Sequence, residues 1–382
     1  MSLTHTFTHM AEGIHTSIFS ILRDEFSLSL QQLGIIAAIP PLCQTVLSIP
    51  TGLLTDKYGA KKLIILSFSL ALIGALIASQ ASSPTIFIVA ISLIFINTTM
   101  YHPASYSFTT KLFKPRDRSK ALGLHGAGGT LGHASGPLAV SILIGILALQ
   151  WRQVYMIMAL PMVLGVVLML LLKEEPLQDV GTEQEATPEG NGLRSLLTKD
   201  FVLFLSFIAM RTIGYTMVST FLVLYLQDVR NLSLALASFI SSATMLTGFI
   251  SAPLGGLIAS KYGEKKCLVG TQVLGYTCLA ASMVVPNITL FTALLIAYGF
   301  CNTLGMAPRN SMIATLSPSN QRGLGFAILF LPSSIMGAIS PVIAGFLAEA
   351  FGFSSIFYIA LVVYVIGLAI LQFTVKIKGK ND

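Results

Sequence analysis

Long apolar runs separated by short polar or charged segments follow one another along nearly the whole chain. A helix needs about 20 apolar residues to cross the hydrocarbon core of a bilayer. The pattern therefore predicts twelve membrane-spanning helices, spans 1 to 12. They are expected near residues 4–22, 32–54, 63–80, 85–110, 120–147, 152–172, 200–226, 235–259, 267–285, 289–315, 322–350 and 353–375.

One polar segment interrupts this pattern. Residues 173–199 are rich in Glu, Pro and Gly and carry too little apolar surface to fold alone. They are predicted to form a flexible cytoplasmic linker. The linker divides the chain into an N-terminal six-helix bundle, residues 1–172, and a C-terminal six-helix bundle, residues 200–382.

The two halves also repeat each other in sequence. Residues 52–62 read GLLTDKYGAKK and residues 256–266 read GLIASKYGEKK, with seven of eleven positions identical at an offset of 204. Each repeat holds an even number of spans, so both copies enter the membrane from the same side. The predicted fold is an all-α integral membrane protein whose 12 transmembrane helices form two parallel six-helix repeats around a central cavity.

Composition and charge agree with a membrane protein. The chain is 54% apolar and 10% charged, whereas soluble domains carry about 25% charged residues. This excludes a soluble enzyme and a nucleic-acid binder. With both termini in the cytoplasm, 18 of the 23 Lys and Arg residues lie on the inner side and 3 on the outer side. The positive-inside rule therefore predicts a multi-pass protein of the plasma membrane in this orientation, in contact with the lipid bilayer.

The two KYG loops resemble the loops between spans 2 and 3 and between spans 8 and 9 of the major facilitator superfamily. The stretches HMAEG at 9–13, YHP at 101–103 and GGTLGHASGP at 128–137 are most similar to its fosmidomycin-resistance and drug–proton antiporter branches. The resemblance implies a monomeric secondary transporter that works by alternating access, with no cofactor.

The first KYG loop is also a candidate gate. Gly52 is expected to let span 2 approach a neighbour closely. The resemblance implies that Asp56 latches the inner side by accepting bonds from the start of span 11. Lys57, Gly59 and Arg118 are assigned to the same gate. For the lysines of the loop, obedience to the positive-inside rule is the alternative explanation.

Span 5 carries small residues four apart, including Gly132 and Gly136, followed by Pro137. Such spacing permits tight helix crossing, and proline bends a helix. In the superfamily this pattern marks exporters that exchange substrate against protons. Leu138 and Ala139 follow where the fuller pattern has a glycine pair, so pure packing remains an alternative.

Ionisable residues within spans are costly and are functional candidates by default. Glu12 is the predicted principal proton site, and His9 or His102 is expected to share that role because imidazole titrates near neutrality. A structural ion pair of Glu12 is the alternative. His5, His9 and Glu12 form one stripe on span 1. Two histidines four apart can share a metal, so a divalent-cation path through this stripe is a further alternative, although Arg211 would repel the ion.

Two arginines within spans, Arg211 and Arg309, always carry charge and suit an anionic substrate group. Permanent pairing with carboxylates is the alternative for both. Further polar candidates for substrate contact are His15, His133, Asn97, Tyr101 and Asn302. For the last three, ordinary helix–helix hydrogen bonds are the alternative.

These observations favour proton-coupled export of a small organic compound, with an anionic compound as one option. Uptake or exchange of a small organic anion and divalent-metal transport are the alternatives. The sequence contains neither HExxH nor GxSxG, so no enzyme is predicted. No phosphate-binding loop is present, so ATP is not implied.

Overall fold

A computed structural model describes residues 1–112, 115–172, 197–316 and 322–373. Every regular element in this part of the chain is helical. The helices of the N-terminal half are α1 Ser2–Met10, α2 Ile14–Ser17, α3 Phe19–Phe26, α4 Leu30–Tyr58, α5 Ala60–Ala78, α6 Pro84–Leu112, α7 Pro115–Ala139 with its π-helical continuation Val140–Ile146, and α8 Trp151–Leu171. Those of the C-terminal half are α9 Lys199–Asp228, α10 Leu234–Leu246, α11 Gly248–Tyr262, α12 Glu264–Val284, α13 Ile288–Leu304, α14 Met306–Leu316, α15 Arg322–Phe351 and α16 Ser354–Phe373.

The all-helical, twelve-span architecture is confirmed. Eleven helical segments of the described chain are long and apolar enough to cross a membrane. The twelfth, span 1, is divided among the short helices α1, α2 and α3 and therefore does not count as one long helix. Spans 8 and 10 are also interrupted once each, at Thr247 and Gly305.

Span 1 is interrupted close to Glu12, where the His15 side chain bonds to a backbone carbonyl oxygen. The carbonyl oxygen of Glu12 lies 2.6 Å from Nδ1 of His15, so it accepts from a side chain rather than from the next turn of helix. The amide of Glu12 reaches back only three residues, to the oxygen of His9. Ile18 has a φ of −106° and ends the second short helix. The sequence predicted an unbroken helix over 4–22, and this local bonding is why the structure differs.

The backbone carries the internal repeat more clearly than the sequence does. The described residues with positive φ form three pairs at an offset of 204. Ser27 and Asn231 have φ of 52° and 55°, and Ala148 and Gly352 have 54° and 82°. The glycines of the two KYG loops, at 59 and 263, have φ of 87° and 90° with ψ of 148° and 146°. Only glycine adopts that conformation readily, which explains its place in both loops.

Helix ends repeat as well. Ser29 and Gln32 form a reciprocal cap at the start of α4, and Ser233 at the same offset accepts from the amide of Leu236 at the start of α10. Lys61 and Lys265 bind the last carbonyls of a helix in their own half, with Nζ–O distances of 2.6 and 2.9 Å. These two lysines therefore have structural contacts in addition to their charge.

Packing divides the chain into two units. The first comprises Met1–Glu174, Ser219–Leu246 and Ala338–Phe353. Within it, the hydroxyl of Ser141 donates to the oxygen of Ala235 at 2.8 Å, and that of Ser242 donates to the oxygen of Ala134 at 2.7 Å. The second comprises Glu175–Val218, Thr247–Gly337 and Ser354–Asp382. Residues 173–196 of the predicted linker lie outside the described residues, so the sequence-based domain boundaries stay a prediction.

Candidate functional site

Small residues on α7 bring α1 close enough for their side chains to share one site. A Cβ atom added at Gly132 would lie 2.8 Å from the Cβ of His9. One added at Gly136 would lie 2.7 Å from the Cα of Gly13. The tight helix crossing that these small residues predict is therefore formed, and Pro137 lies beside Gly13. A role of these residues in proton exchange stays a prediction.

Five imidazoles gather where α1, α6 and α7 meet, and we call them the histidine cluster: His5, His9, His102, His125 and His133. Nε2 of His5 lies 3.2 Å from Nε2 of His9 and 3.2 Å from Nε2 of His102. The ring of His125 stacks on His5 with centroids 4.1 Å apart, and that of His133 stacks on His9 at 3.8 Å. Histidines that are far apart in sequence thus form one contiguous site.

Glu12 closes one end of the histidine cluster. It is 7% exposed, and its Oε2 atom lies 2.6 Å from Nδ1 of His9. Its Oε1 atom accepts a short hydrogen bond from the hydroxyl of Thr98 and a 3.4 Å bond from the amide of Gln44. Nδ1 of His133 is 4.0 Å from the same carboxylate. A buried carboxylate needs such partners because water does not reach it.

The metal-binding stripe suggested by the sequence, His5, His9 and Glu12, is divided between two groups of side chains in the structure. His9 presents Nε2 to His5 and Nδ1 to Glu12, so these three residues do not converge on one point. The nitrogen atoms of His5, His9 and His102 lie within 4.8 Å of one another. The atoms of His9, Glu12 and His133 form a second such group.

Three other candidates of the N-terminal half are bound within the helix packing. Nδ1 of His15 lies against the backbone oxygen of Glu12, as described above. The amide of Asn97 donates to the hydroxyl of Ser67 at 3.1 Å, joining α6 to α5. The hydroxyl of Tyr101 lies 2.8 Å from that of Thr4, joining α6 to α1. For Asn97 and Tyr101 the structure thus shows the helix–helix hydrogen bonds given above as the alternative to substrate contact.

The second unit contains the arginine candidates. Arg211, on α9, is half-buried and donates to the side-chain oxygen of Asn302 on α13. Its guanidinium carbon lies 6.0 Å from the ring centroid of Tyr215. Among the described residues Arg211 forms no ion pair with a carboxylate. In the part of the chain that the structure describes, the Arg309 side chain on α14 makes one long contact, of 3.4 Å, to the side chain of Asn310.

Tyrosine side chains pack against one another in the same unit as Arg211. The hydroxyls of Tyr298 and Tyr364 lie 2.6 Å apart, and Tyr276 stacks on Tyr364 with centroids 4.1 Å apart. A Cβ at Gly214, one turn from Arg211, would touch the Tyr364 ring. Aromatic rings offer both an apolar wall and hydroxyl groups beside the guanidinium.

The gate residues are only partly described. A Cβ at Gly52 would meet no heavy atom of the described chain within 4 Å, so the expected close helix approach is not formed here. Lys57 is exposed and its Nζ lies 5.2 Å from the ring centroid of Tyr58. The side chains of Asp56 and Arg118 lie outside the described residues.

Sequence reasoning missed three partners of the charged groups. Thr98 stands one helical turn before His102, and this spacing was the available signal for a shared face. Gln44 is a lone amide inside span 2, which is itself unusual in a membrane. Tyr215 lies four residues after Arg211, so the two share a helix face in the same way.

Known proteins match the chain along its length. The family model for the Major Facilitator Superfamily matches residues 1–269 and 202–381. A probable nitrate transporter of Staphylococcus epidermidis is 23% identical over 93% of this chain and 89% of its own length. The hexuronate transporter of Bacillus subtilis is 26% identical, covering 94% and 89%. The fosmidomycin resistance protein of Escherichia coli is 26% identical over 38% of the chain and 35% of its own, so that branch stays a prediction.

The fold has solved counterparts. A bacterial homologue of the human lysosomal transporter Spinster, in an inward-facing and occupied conformation, superposes with a TM-score of 0.82 at 15% identity, covering 97% of this chain and 94% of that one. Twelve spans, a duplicated backbone and a full-length family match agree with one another. The chain belongs to the major facilitator superfamily and is a multi-pass transporter of the plasma membrane, not an enzyme.

Proposed function

We propose that the protein is a secondary active transporter of a small organic anion, with Arg211 contacting the anionic group. The observation that carries the proposal is that this guanidinium is half-buried within a span and that, among the described residues, its partner is a neutral amide and not a carboxylate. An arginine inside a membrane is costly unless it is paired or meets water or substrate. Its planar fork of donors matches a carboxylate in two parallel hydrogen bonds.

The names of two relatives support a negatively charged cargo. Nitrate and hexuronate, which appear in those names, are both anions. Their chemistry differs otherwise, so the shared property is the negative charge. For this chain the Arg211 site, with Asn302 and Tyr215 beside it, provides a cation together with neutral hydrogen-bonding and aromatic groups, a combination suited to a small polar anion.

Counterflow in proteoliposomes tests the proposal. Glucuronate and glucose are matched probes because they differ mainly in one carboxylate. Wild-type protein is expected to exchange glucuronate or another small carboxylate and to reject glucose. Arg211→Ala is expected to weaken the free energy of anion binding by about 1.5–3 kcal/mol, which is about 10–100-fold in affinity. Ser206→Ala is the matched control, since its hydroxyl only bonds the backbone one turn earlier on the same helix.

Two results would contradict the proposal. Undiminished anion exchange by Arg211→Ala would show that the guanidinium does not contact cargo. Exchange of neutral and anionic probes at equal rates would show that charge is not recognised. Arg211→Lys separates charge from shape, because a lysine keeps the charge but loses the bidentate geometry.

The direction and the coupling ion are further parts of the proposal. Export against protons is the direction that the sequence favours, with Glu12, His9 and His102 as the predicted coupling groups. Vesicles with an imposed pH gradient test it: collapse of the gradient by a protonophore is expected to abolish accumulation while leaving counterflow intact. Cytoplasmic termini and a monomeric state are proposed as well, on the asymmetry of Lys and Arg and on the resemblance, respectively.

A further inference from the structure

Three imidazole nitrogens converge in the histidine cluster, and the proposed anion site makes no use of them. Nε2 of His5 is 3.2 Å from the Nε2 atoms of both His9 and His102. His5 and His9 are buried and His102 is half-buried. Such proximity of three ring nitrogens within a membrane-spanning bundle calls for a chemical reason.

The opposite nitrogens of two of these rings are already engaged. Nδ1 of His5 lies 2.7 Å from the backbone oxygen of His125, and Nδ1 of His9 lies 2.6 Å from a carboxylate oxygen of Glu12. Carbonyl and carboxylate oxygens accept hydrogen bonds, so each neutral ring carries its proton on Nδ1. The Nε2 lone pairs of His5 and His9 then face each other, an arrangement that a cation between them stabilises.

The third ring, that of His102, contributes the same nitrogen. Its Nε2 atom is the one that approaches His5. The three rings therefore present their Nε2 atoms to one another, and those of His5 and His9 bind the surrounding protein through Nδ1.

We propose that His5, His9 and His102 bind one divalent transition-metal ion through their Nε2 atoms. In a tetrahedral site with metal–nitrogen bonds of 2.0–2.1 Å, ligand nitrogens lie about 3.3–3.4 Å apart. The two separations of 3.2 Å are close to that value. Imidazole ligands select Zn²⁺, Co²⁺, Ni²⁺ or Cu²⁺, whereas Ca²⁺ and Mg²⁺ require oxygen ligands.

The surroundings match those of known histidine–metal centres. A ligating histidine usually donates its other N–H to a carboxylate or a backbone carbonyl, which fixes the ring and raises its basicity. Here Glu12 serves His9 in that way, and the backbone oxygen of His125 serves His5. Glu12 is thus a positioning residue and not a ligand of this ion. Once His9 and His102 bind the ion, their Nε2 atoms no longer accept protons, so Glu12 is left as the proposed proton-coupling group.

The proposed ion has a structural role. All three ligands come from α1 and α6 of the first packing unit. An ion held there fastens the broken span 1 to α6. The imidazole of His133, with a side chain 52% exposed and stacked on His9, offers an entry route.

Metal binding by the purified full-length chain tests this proposal. The protein is prepared through an affinity tag that contains no histidine, treated with a chelator and titrated with Zn²⁺ in a calorimeter. One ion per chain is expected, and Co²⁺ is expected to give the intense visible absorption of a tetrahedral site. His5→Gln, His9→Gln and His102→Gln should each lose this binding. Ser135→Ala on α7, whose hydroxyl bonds the backbone one turn earlier on the same helix, should retain it. Glu12→Gln should weaken it about 10–100-fold.

A second measurement keeps the test independent of variant folding. X-ray absorption at the zinc edge of the wild-type protein counts its ligands, and three imidazoles are expected. Absence of stoichiometric Zn²⁺, Co²⁺, Ni²⁺ or Cu²⁺ binding would overturn the proposal, as would binding that survives all three substitutions in folded protein. Arg211→Ala should bind the ion normally, so failure of the anion proposal is distinguishable from failure of this one.

Discussion

Thr98 and Asn302 stand at equivalent positions of the two halves, 204 residues apart. Each forms a hydrogen bond with a charged side chain from the first span of its own half. Thr98 donates to Glu12, and Asn302 accepts from Arg211. The same position of the duplicated scaffold therefore supports a carboxylate in one half and a guanidinium in the other.

The side chains around Glu12 and around Arg211 also differ. Glu12 is almost fully buried and lies against imidazoles, which bind cations through their lone pairs. Arg211 is half-buried and lies near Tyr215, whose hydroxyl can donate and accept hydrogen bonds. Duplication thus supplied the placement of a charged group, and substitution supplied opposite chemistry. The two proposals above thus assign the metal ion to the N-terminal half and the anion to the C-terminal half.

The largest expected effect comes from separating α1 from α7. Gly136→Val places carbon atoms where the backbone of Gly13 already lies, so we expect about 3 kcal/mol of destabilisation and loss of the histidine cluster. Thermal unfolding in detergent, with Zn²⁺ binding as the second readout, measures it. Gly126→Val on the same helix is the control, because a Cβ there meets no heavy atom of the described residues within 4 Å. Equal melting temperatures for the two variants would refute this role of Gly136.

The comparison of Thr98 with Asn302 can be tested with matched variants. Thr98→Val and Asn302→Leu each remove one hydrogen bond to a charged group and nearly preserve volume, at an expected cost of about 1.5–3 kcal/mol. We expect the first to weaken metal binding through Glu12 and the second to weaken anion exchange through Arg211. If both variants impaired only metal binding, or both impaired only anion exchange, the assignment of one ion to each half would be wrong.

The sequence predicted the fold closely because its signal is local. Apolar runs and charged loops placed the helices within a few residues of their observed ends, since spanning a bilayer demands both length and apolarity. Span 1 was the largest exception, beside the single interruptions of spans 8 and 10. Its break depends on the His15 side chain reaching the oxygen of Glu12, and periodicity does not reveal such a contact.

The candidate site was only partly predictable. Glu12, His9 and His102 were found because ionisable groups stand out within apolar spans. That His9 and Glu12 share one face of span 1 was predicted. The approach of His102 to the same cluster was not, because it depends on how α1 packs against its neighbours and on which ring nitrogen each histidine presents. Gln44 and Thr98 are neutral, so charge gave no signal for them, although both bond Glu12.

A smaller effect is expected in the two KYG loops. Gly59→Ala and Gly263→Ala each force a side chain into a backbone region that is almost exclusive to glycine, at an expected cost of about 1–3 kcal/mol. Because the two backbones have nearly the same φ and ψ, we expect equal losses of thermal stability. A Cβ at Gly270, on α12, also meets no atom of the described chain within 4 Å, and the φ of Gly270 is not positive, so Gly270→Ala is the control. Unequal losses would show that the repeat has diverged energetically at these loops.

The smallest effect is expected at the third repeated pair. Ala148 has a φ of 54°, where its Cβ costs about 1–2 kcal/mol, and Gly352 occupies the equivalent turn at a φ of 82° without that penalty. Ala148→Gly removes the strain but adds freedom to the unfolded chain, which takes back about 0.5–1 kcal/mol. We expect a net stabilisation of about 0.5–1 kcal/mol, seen as a small rise in melting temperature. Gly352→Ala should lower it by a similar amount. A lower melting temperature for Ala148→Gly would show that the methyl group of Ala148 contributes packing that outweighs its backbone strain.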